Sequence, residues 1–396
     1  MQTDSGFLMN FNVGRPAAQT PHRYRAKQET WLSVKHIDIA LFFLYKQIFK
    51  QMKNILYITI ILSLCLSFVH CKSDSPTSPG YPDHELFTKH PVPVWEGKWL
   101  AGDPSIIKLE DKLLMYYTAL VISGDGDGDN PDNLQVIIGV AESQDGISWD
   151  FSNPLTYGES VALENNTSSW DKILETAFAI KKDDEIFLYY TGYSEGVDGV
   201  NTIVAEGKIG LATSSDGLPF ERYSDAPLLL PDRDFDADGL FSPTIAKYDG
   251  TFYMIYTGWS LNLFGYGLFG ATSEDGINWT KQGELLIKDT DVTWAMDNPR
   301  ESELVAGPDG MFYLFFTSDI AQNESAIGIA RSGHPLGPWD IYQEPLVFKT
   351  KDWEESGLIA PAVLIEDDKI RMWYMAETGG FSNFYIGYAE IEFPDW

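Results

Sequence analysis

The apolar positions of this chain fall in short runs rich in aromatic and β-branched residues, broken by Gly and Asp, a pattern that predicts many short strands. One run recurs. Ile138-Gly139-Val140-Ala141-Glu142-Ser143 returns around Ala212, Ala271, Ala330 and Ala389, at spacings of 71, 59, 59 and 59 residues. Three copies continue into Asp-Gly and then an aromatic: Asp145-Gly146 to Trp149, Asp216-Gly217 to Phe220, and Asp275-Gly276 to Trp279. Asp-Gly supplies the positive φ of a tight turn, so these aspartates read as turn residues rather than metal or sugar ligands. A second repeat is an apolar hairpin, in Pro104–Thr118, Ala177–Thr191, Pro243–Thr257, Glu303–Thr317 and Pro361–Met375. Two hairpins make four antiparallel strands. Five units of about 60 residues therefore predict an all-β fold, a five-bladed β-propeller spanning residues 85–396. The fifth unit lacks an outer strand, and Phe87–Val94 resembles the outer strands of the other units. It is expected to close the ring against the strand around Ile386–Ile391 and so remove an exposed edge.

Before residue 85 the pattern changes. Lys53 precedes an apolar run, Ile55–Val69, which is short for a bilayer span and suits a signal peptide. Cys71 then opens a polar stretch. Residues 52–71 thus resemble a lipoprotein signal with Cys71 as the lipidation site, an ordinary signal peptide cleaved nearby being the alternative. Residues 72–84, rich in Ser, Pro and Asp, read as a linker, and residues 1–51 as an extension outside the mature protein. The expected location is the cell envelope, the periplasm or the exterior, with membrane contact only through the lipid anchor. Cys65 and Cys71 are the only cysteines, so neither a disulfide framework nor a zinc site is expected. With 58 acidic and 28 basic residues the net charge is −30, which argues against nucleic acid as a partner.

Strands A to D are counted outward from the propeller axis. The D–A and B–C loops then share one face, and they are long, aromatic and acidic. Trp99, Trp170 and Trp294, with Trp95 and Trp353, are expected there as platforms for a sugar ring. The heads of the five A strands read Asp103, Glu175, Ser242, Glu301 and Ala360, which places three carboxylates around one funnel. Crowded acids cannot all ionise cheaply, so at least one pKa should rise. An acid and a base can then coexist near neutral pH, as glycoside hydrolysis requires. Asp103, Glu301 and Glu175 are therefore the catalytic candidates. Arg300, Ser242 and Asp238 join the tryptophans as substrate-binding candidates, and the expected partner is a carbohydrate. Glu303 reads as structural. Two acidic runs, Asp125/Asp127/Asp129 and Asp234/Asp236/Asp238, resemble the start of a calcium loop but have Val136 and Ile245 where the closing Glu belongs. They read as solvated loops; no cofactor is expected, a structural calcium being the alternative.

Asp103-Pro104-Ser105-Ile106-Ile107 and Glu301-Ser302-Glu303 carry a family likeness. Over residues 85–396 the chain resembles the five-bladed glycoside hydrolases of families 43 and 62 and the related families 32 and 68, most of all family 43. The resemblance implies Asp103 as general base and Glu301 as general acid. It also implies activity on furanoside-containing or related oligo- and polysaccharides. Where those families place a third carboxylate, at the head of blade 3, this chain has Ser242, and Glu175 is the candidate substitute. The competing reading is a propeller that binds carbohydrate without cleaving it.

Overall fold

Each of the five repeats folds as one antiparallel sheet in the computed structural model, which describes residues 86–96, 100–122, 134–150, 161–194, 206–260, 265–321, 324–355, 357–366, 368–378 and 383–393. Cys71, Trp99, the run Asp125/Asp127/Asp129 and the expected signal and linker lie outside these residues. Blade 1 contains β3 (Leu100–Lys108), β4 (Leu113–Ile122) and β5 (Leu134–Ser143), with the outer pieces β6 (Trp149–Asp150) and β7 (Val161–Leu163) on β5. Blade 2 is β8 (Ile173–Lys182), β9 (Glu185–Tyr193), β10 (Lys208–Ser214) and β11 (Glu221–Arg222). Blade 3 is β12 (Gly239–Tyr248), β13 (Thr251–Ser260), β14 (Gly265–Ser273) and β15 (Thr280–Leu285). Blade 4 is β16 (Arg300–Ala306), β17 (Phe312–Ala321), β18 (Glu324–Ser332) and β19 (Asp340–Ile341). Blade 5 has β20 (Leu358–Glu366), β21 (Lys369–Thr378) and β22 (Asn383–Glu392). Its outer place is filled by β1 (Thr88–Lys89) and β2 (Trp95–Glu96). Thr88 pairs with Glu390, Lys89 with Ala389 and Trp95 with Ile386. The fold is a five-bladed β-propeller whose ring closes through its N-terminal strand.

The repeated Gly-x-Ala of the third strands has a packing cause. Tyr117, Tyr190, Phe316 and Tyr374 on the second strands lie opposite Gly139, Gly210, Gly328 and Gly387. A Cβ at Gly387 would come within 2.4 Å of the Tyr374 ring, so the ring occupies the space a side chain would need. An aromatic from the approach to each blade then covers the pair. Trp170 stacks on Tyr190 at 5.8 Å, Trp294 on Phe316 at 6.1 Å and Trp353 on Tyr374 at 6.2 Å. Blade 3 solves the same position differently: Phe269 replaces the glycine and Phe235 stacks on it at 4.4 Å. The apolar cores lie between blades, one at each of the five interfaces.

A buried acid recurs beneath these rings. Asp171 is held by Tyr190 and Arg222, Asp236 by Tyr256 and Lys281, and Glu354 by Tyr374 and Lys89. In blades 2 and 3 the cation comes from the blade's own outer strand. In blade 5 it comes from β1, which makes Lys89 the chemical key of ring closure. In the run Asp234/Asp236/Asp238 the solvated reading holds for Asp234, which is exposed, and fails for Asp236. Asp236 is fully buried, accepts the N–H groups of Asp232 and Arg233, and already holds an ammonium group.

The Asp-Gly turns behave as the pattern predicts. Gly146, Gly217 and Gly276 have φ of 77, 95 and 76°. Asp145 accepts the N–H groups of Ser148 and Ile147, and these bonds hold its carboxyl down at about 2. The glycine carbonyls also fasten neighbouring blades: Trp373 donates to Gly146, Tyr116 to Gly217 and Tyr189 to Gly276.

Candidate active site

Five non-glycine residues around the axis share a left-handed backbone: Asp103, Thr176, Ser242, Glu301 and Ala360, with φ between 42 and 51°. Each sits in a bulge near the head of its first strand, where the register with the second strand slips. A left-handed conformation costs an L-residue about 1–2 kcal/mol. Ala360 adopts it too, so it belongs to the architecture, and the chemistry rests on which side chains the ring presents. The conformation is held by threonines in the later half of the second strands. Thr118 Oγ1 accepts the Thr176 N–H at 3.0 Å, Thr191 that of Ser242 at 3.2 Å, Thr257 that of Glu301 at 2.9 Å and Thr317 that of Ala360 at 3.0 Å. Each threonine thus fixes the ring residue of the next blade. In blade 5 Met375 stands in the threonine's place, against Gly102.

This register corrects one expectation. The blade 2 equivalent of Asp103 and Glu301 is Thr176, and Glu175 occupies the preceding position, with Gly102, Phe241, Arg300 and Ile359. The ring proper presents two carboxylates, and Glu175 approaches from one residue earlier.

One axial cavity is lined by Asp103, Thr176, Ser242, Glu301, Ser302 and Glu303, among others. Ser242 Oγ, Ser302 Oγ and Glu301 Oε2 are buried there without a hydrogen-bond partner. Burial pushes the Asp103 carboxyl up, opposed by the Thr118 hydroxyl, which donates at 2.7 Å, and by the Thr176 N–H. Burial likewise raises Glu301 to about 7; Arg300 opposes the rise, while Asp103, Asp319 and Asp297 reinforce it. Glu175 also rises to about 7, through burial and then the charge of Asp103, with Tyr193 donating a hydrogen bond that opposes it. The three carboxyls are close enough to act on one another, so they do not all ionise at neutral pH. Glu303 lies deeper. Burial pushes it well above the ordinary range, and it accepts the Val363 N–H. Ser105 and Thr244 do the same for Ala179 and Leu304, so Glu303 is structural in position.

Arg300 is clamped: its guanidinium donates to Asp297 at 2.9 Å and to Asp319 at 2.6 Å. Asp297 also accepts from the Ser318 hydroxyl and the Asp319 N–H. The sequence reading missed Asp297, Asp319 and Tyr193. Asp297 precedes Arg300 by three residues and Tyr193 ends an aromatic strand, but neither spacing is distinctive by itself. Ser242 takes its predicted place at the mouth. Asp238 is half-buried, with its N–H on the Trp259 carbonyl.

The expected tryptophan platforms are corrected. Trp170 and Trp294 are stacked into their blades, and Trp294 is only 7% exposed. Trp170 also donates its ring N–H to Asp225. Trp353 packs the same way, and Trp95 packs edge-on against Tyr117. These rings pack into the interface cores, Trp294 buried and Trp95, Trp170 and Trp353 half-buried.

The fold recurs in solved structures. A thermostable family-43 glycoside hydrolase superposes with a TM-score of 0.56 at 20% identity, covering 78% of this chain and 93% of that one. The β-1,2-mannobiose phosphorylase of Listeria innocua gives a TM-score of 0.58 at 12% identity, covering 79% and 93%. At these identities the likeness is one of fold. No family model matches the chain. In sequence, the 1,2-β-oligomannan phosphorylase of Thermoanaerobacter sp. is 36% identical over 80 residues, 20% of this chain and 27% of that enzyme. The β-1,2-mannobiose phosphorylase of the same organism is 31% identical over 128 residues, 30% of this chain and 41% of the enzyme. An uncharacterized protein of Mycobacterium tuberculosis is 33% identical over 219 residues, 53% of this chain and 69% of its own length. Identity of that extent over more than two thirds of the mycobacterial protein means that the chain belongs to the same family as that protein.

Proposed function

We propose that this protein is a carbohydrate-active enzyme that hydrolyses glycosidic bonds, with Asp103 and Glu301 as its working pair. The observation that carries this reading is their placement. They face one axial cavity from equivalent left-handed positions in blades 1 and 4, and Glu301 keeps a buried, unpartnered carboxyl oxygen. With its carboxyl pushed up to about 7, Glu301 is protonated in a substantial fraction of molecules at neutral pH and can give that proton to the leaving oxygen. Asp103, steadied by the Thr118 hydroxyl and the Thr176 N–H, takes the proton of the attacking water. The bond from the anomeric carbon to the leaving oxygen breaks as the bond to water oxygen forms. Burial and the charges of Asp103, Asp319 and Asp297 keep Glu301 protonated. Glu175, held by Tyr193 and itself raised by Asp103 and Glu301, is the third carboxyl of the site, in place of the one absent at Ser242.

The substrate class proposed first is β-1,2-linked mannosides, because the relatives named for an activity, matched over part of their length, act on such sugars. Arabinofuranosides, implied by the family-43 likeness, come second. Asp103→Asn and Glu301→Gln should each lower kcat on β-1,2-mannobiose or an arabinofuranosyl oligosaccharide by about 10²–10⁴-fold while the variants still bind product sugars. NMR of the first-formed anomer should show inversion. Full activity in both variants would remove the axial cavity as the active site.

A further inference from the structure

Three aromatic rings at the mouth belong to none of the interface cores: Phe241 on β12, Trp259 on β13 and Tyr266 on β14. Every other described tryptophan packs into one of those cores. All three rings are half-buried. Trp259 lies 4.2 Å from Tyr266 at a tilt of 39°, Phe241 meets Tyr266 edge-on at 5.8 Å, and the Arg300 guanidinium lies 5.7 Å from the centre of the Tyr266 ring. Tyr266 is thereby fixed by contacts that the blade cores do not require.

The trio adjoins the chemistry. Phe241 takes the position before the ring residue that Arg300 takes in blade 4 and Glu175 in blade 2. Tyr266 feels the charge of Glu301, which raises its hydroxyl further after burial. Half-exposed rings beside carboxylates match a sugar, whose C–H face is apolar and whose rim is polar. Glu301 protonates the leaving oxygen in the reading above, so the sugar attached to that oxygen lies on the Glu301 side, where Tyr266 stands.

We propose that Phe241, Trp259 and Tyr266 form the leaving-group subsite, stacking the second sugar ring of the substrate while the first occupies the axial end. The assignment rests on Glu301 as the acid. It gives the enzyme a preference for substrates whose leaving group is itself a sugar, with Trp259 as the specificity-determining residue.

The test is calorimetric titration of β-1,2-mannobiose and of mannose into the Glu301→Gln protein with and without Trp259→Ala. Mannobiose affinity should fall about tenfold or more, and mannose affinity should stay unchanged, because one ring does not reach the trio. Trp259→Phe keeps a stacking face and should recover part of the loss, which a merely structural role would not predict. Equal mannobiose affinity in Trp259→Ala overturns the subsite, even if the wild type cleaves the sugar. Binding that depends on Trp259 without any cleavage by the wild type removes the hydrolase reading and leaves the subsite standing. If mannobiose does not bind, an arabinofuranosyl disaccharide replaces it in the same titration, and failure of both overturns the proposal.

Discussion

A carboxyl raised by burial works at the expense of the fold. Glu175 and Glu301 both rise from 4.5 to about 7, with burial the first cause in each. Below pH 4.5 they are neutral whether the chain is folded or unfolded, and burying them carries no ionisation penalty. As the pH climbs from 4.5 through about 7, the unfolded chain releases these protons and the folded chain resists. Stability is therefore lost over that window. Glu301→Gln and Glu175→Gln should each stabilise the protein at pH 8 by about 1–3 kcal/mol, with the gain vanishing near pH 4.5. Urea unfolding at several pH values measures this, and a gain independent of pH would refute ionisation as its cause. At this scale the sequence was legible where chemistry is carried by a local motif. Asp103-Pro104-Ser105 and Glu301 stood out by residue type. Glu175 was read one position off because its blade has Ala177 where three others have proline, so only the φ angles fixed the frame. The tryptophans failed for another reason: a ring stacked inward on Tyr190 and a ring open to a sugar have the same letter and the same neighbours in sequence.

Whole strands were more legible than their fastenings. The period of the Ala repeat and the hairpins were enough to foresee five sheets and the N-terminal strand that completes the last one. The acid–tyrosine–cation cluster was hidden, because Lys89 and Glu354 are 265 residues apart. Both side chains are almost wholly buried, with the Lys89 ammonium 2.8 Å from Glu354 and also bonded to the Phe348 carbonyl and to Thr350. Removing one member of such a pair leaves a buried charge without compensation, at a cost of about 3–5 kcal/mol. Lys89→Met should therefore destabilise the protein by about that much in urea unfolding. It should also promote aggregation, since loosening β1 uncovers the edge of β22. The double change Lys89→Met with Glu354→Gln should recover much of the loss, because it removes the uncompensated charge while the Gln oxygen still accepts the Thr350 and Lys351 N–H groups and its amide N–H can donate to the Tyr374 hydroxyl. Wild-type stability in the single variant would show that the backbone pairing of β1 and β2 closes the ring unaided.

The molecule as a whole carries a net charge of −30, but screening limits what that figure can do. At physiological salt the Debye length is about 8 Å, so acids on distant blades scarcely reach the funnel and the local arrangement decides. Asp103 answers to burial, the Thr118 hydroxyl and the Thr176 N–H. The charges of Asp103 and Glu301 act on Glu175, and those of Asp103, Asp297, Asp319 and, among the described residues, the cation Arg300 act on Glu301. That cation is engaged on both sides, by Asp297 and Asp319. A phosphorylase must hold a phosphate dianion beside the reacting carbon, against the base and within reach of free cations. Here the dianion would enter a ring of carboxyls where, among the described residues, the cation Arg300 is already paired, whereas water meets no such barrier. The sequence relatives that are phosphorylases match over 27% and 41% of their lengths. The hydrolytic reading proposed above predicts water as the acceptor. The initial rate on β-1,2-mannobiose should then be the same with and without inorganic phosphate at constant ionic strength. The product should be free mannose, with no sugar phosphate in the phosphorus NMR spectrum. A rate that requires phosphate, with a mannosyl phosphate accumulating, would mean that Arg300 leaves its clamp to receive the anion, and the protein would be a phosphorylase on the same carboxylate frame.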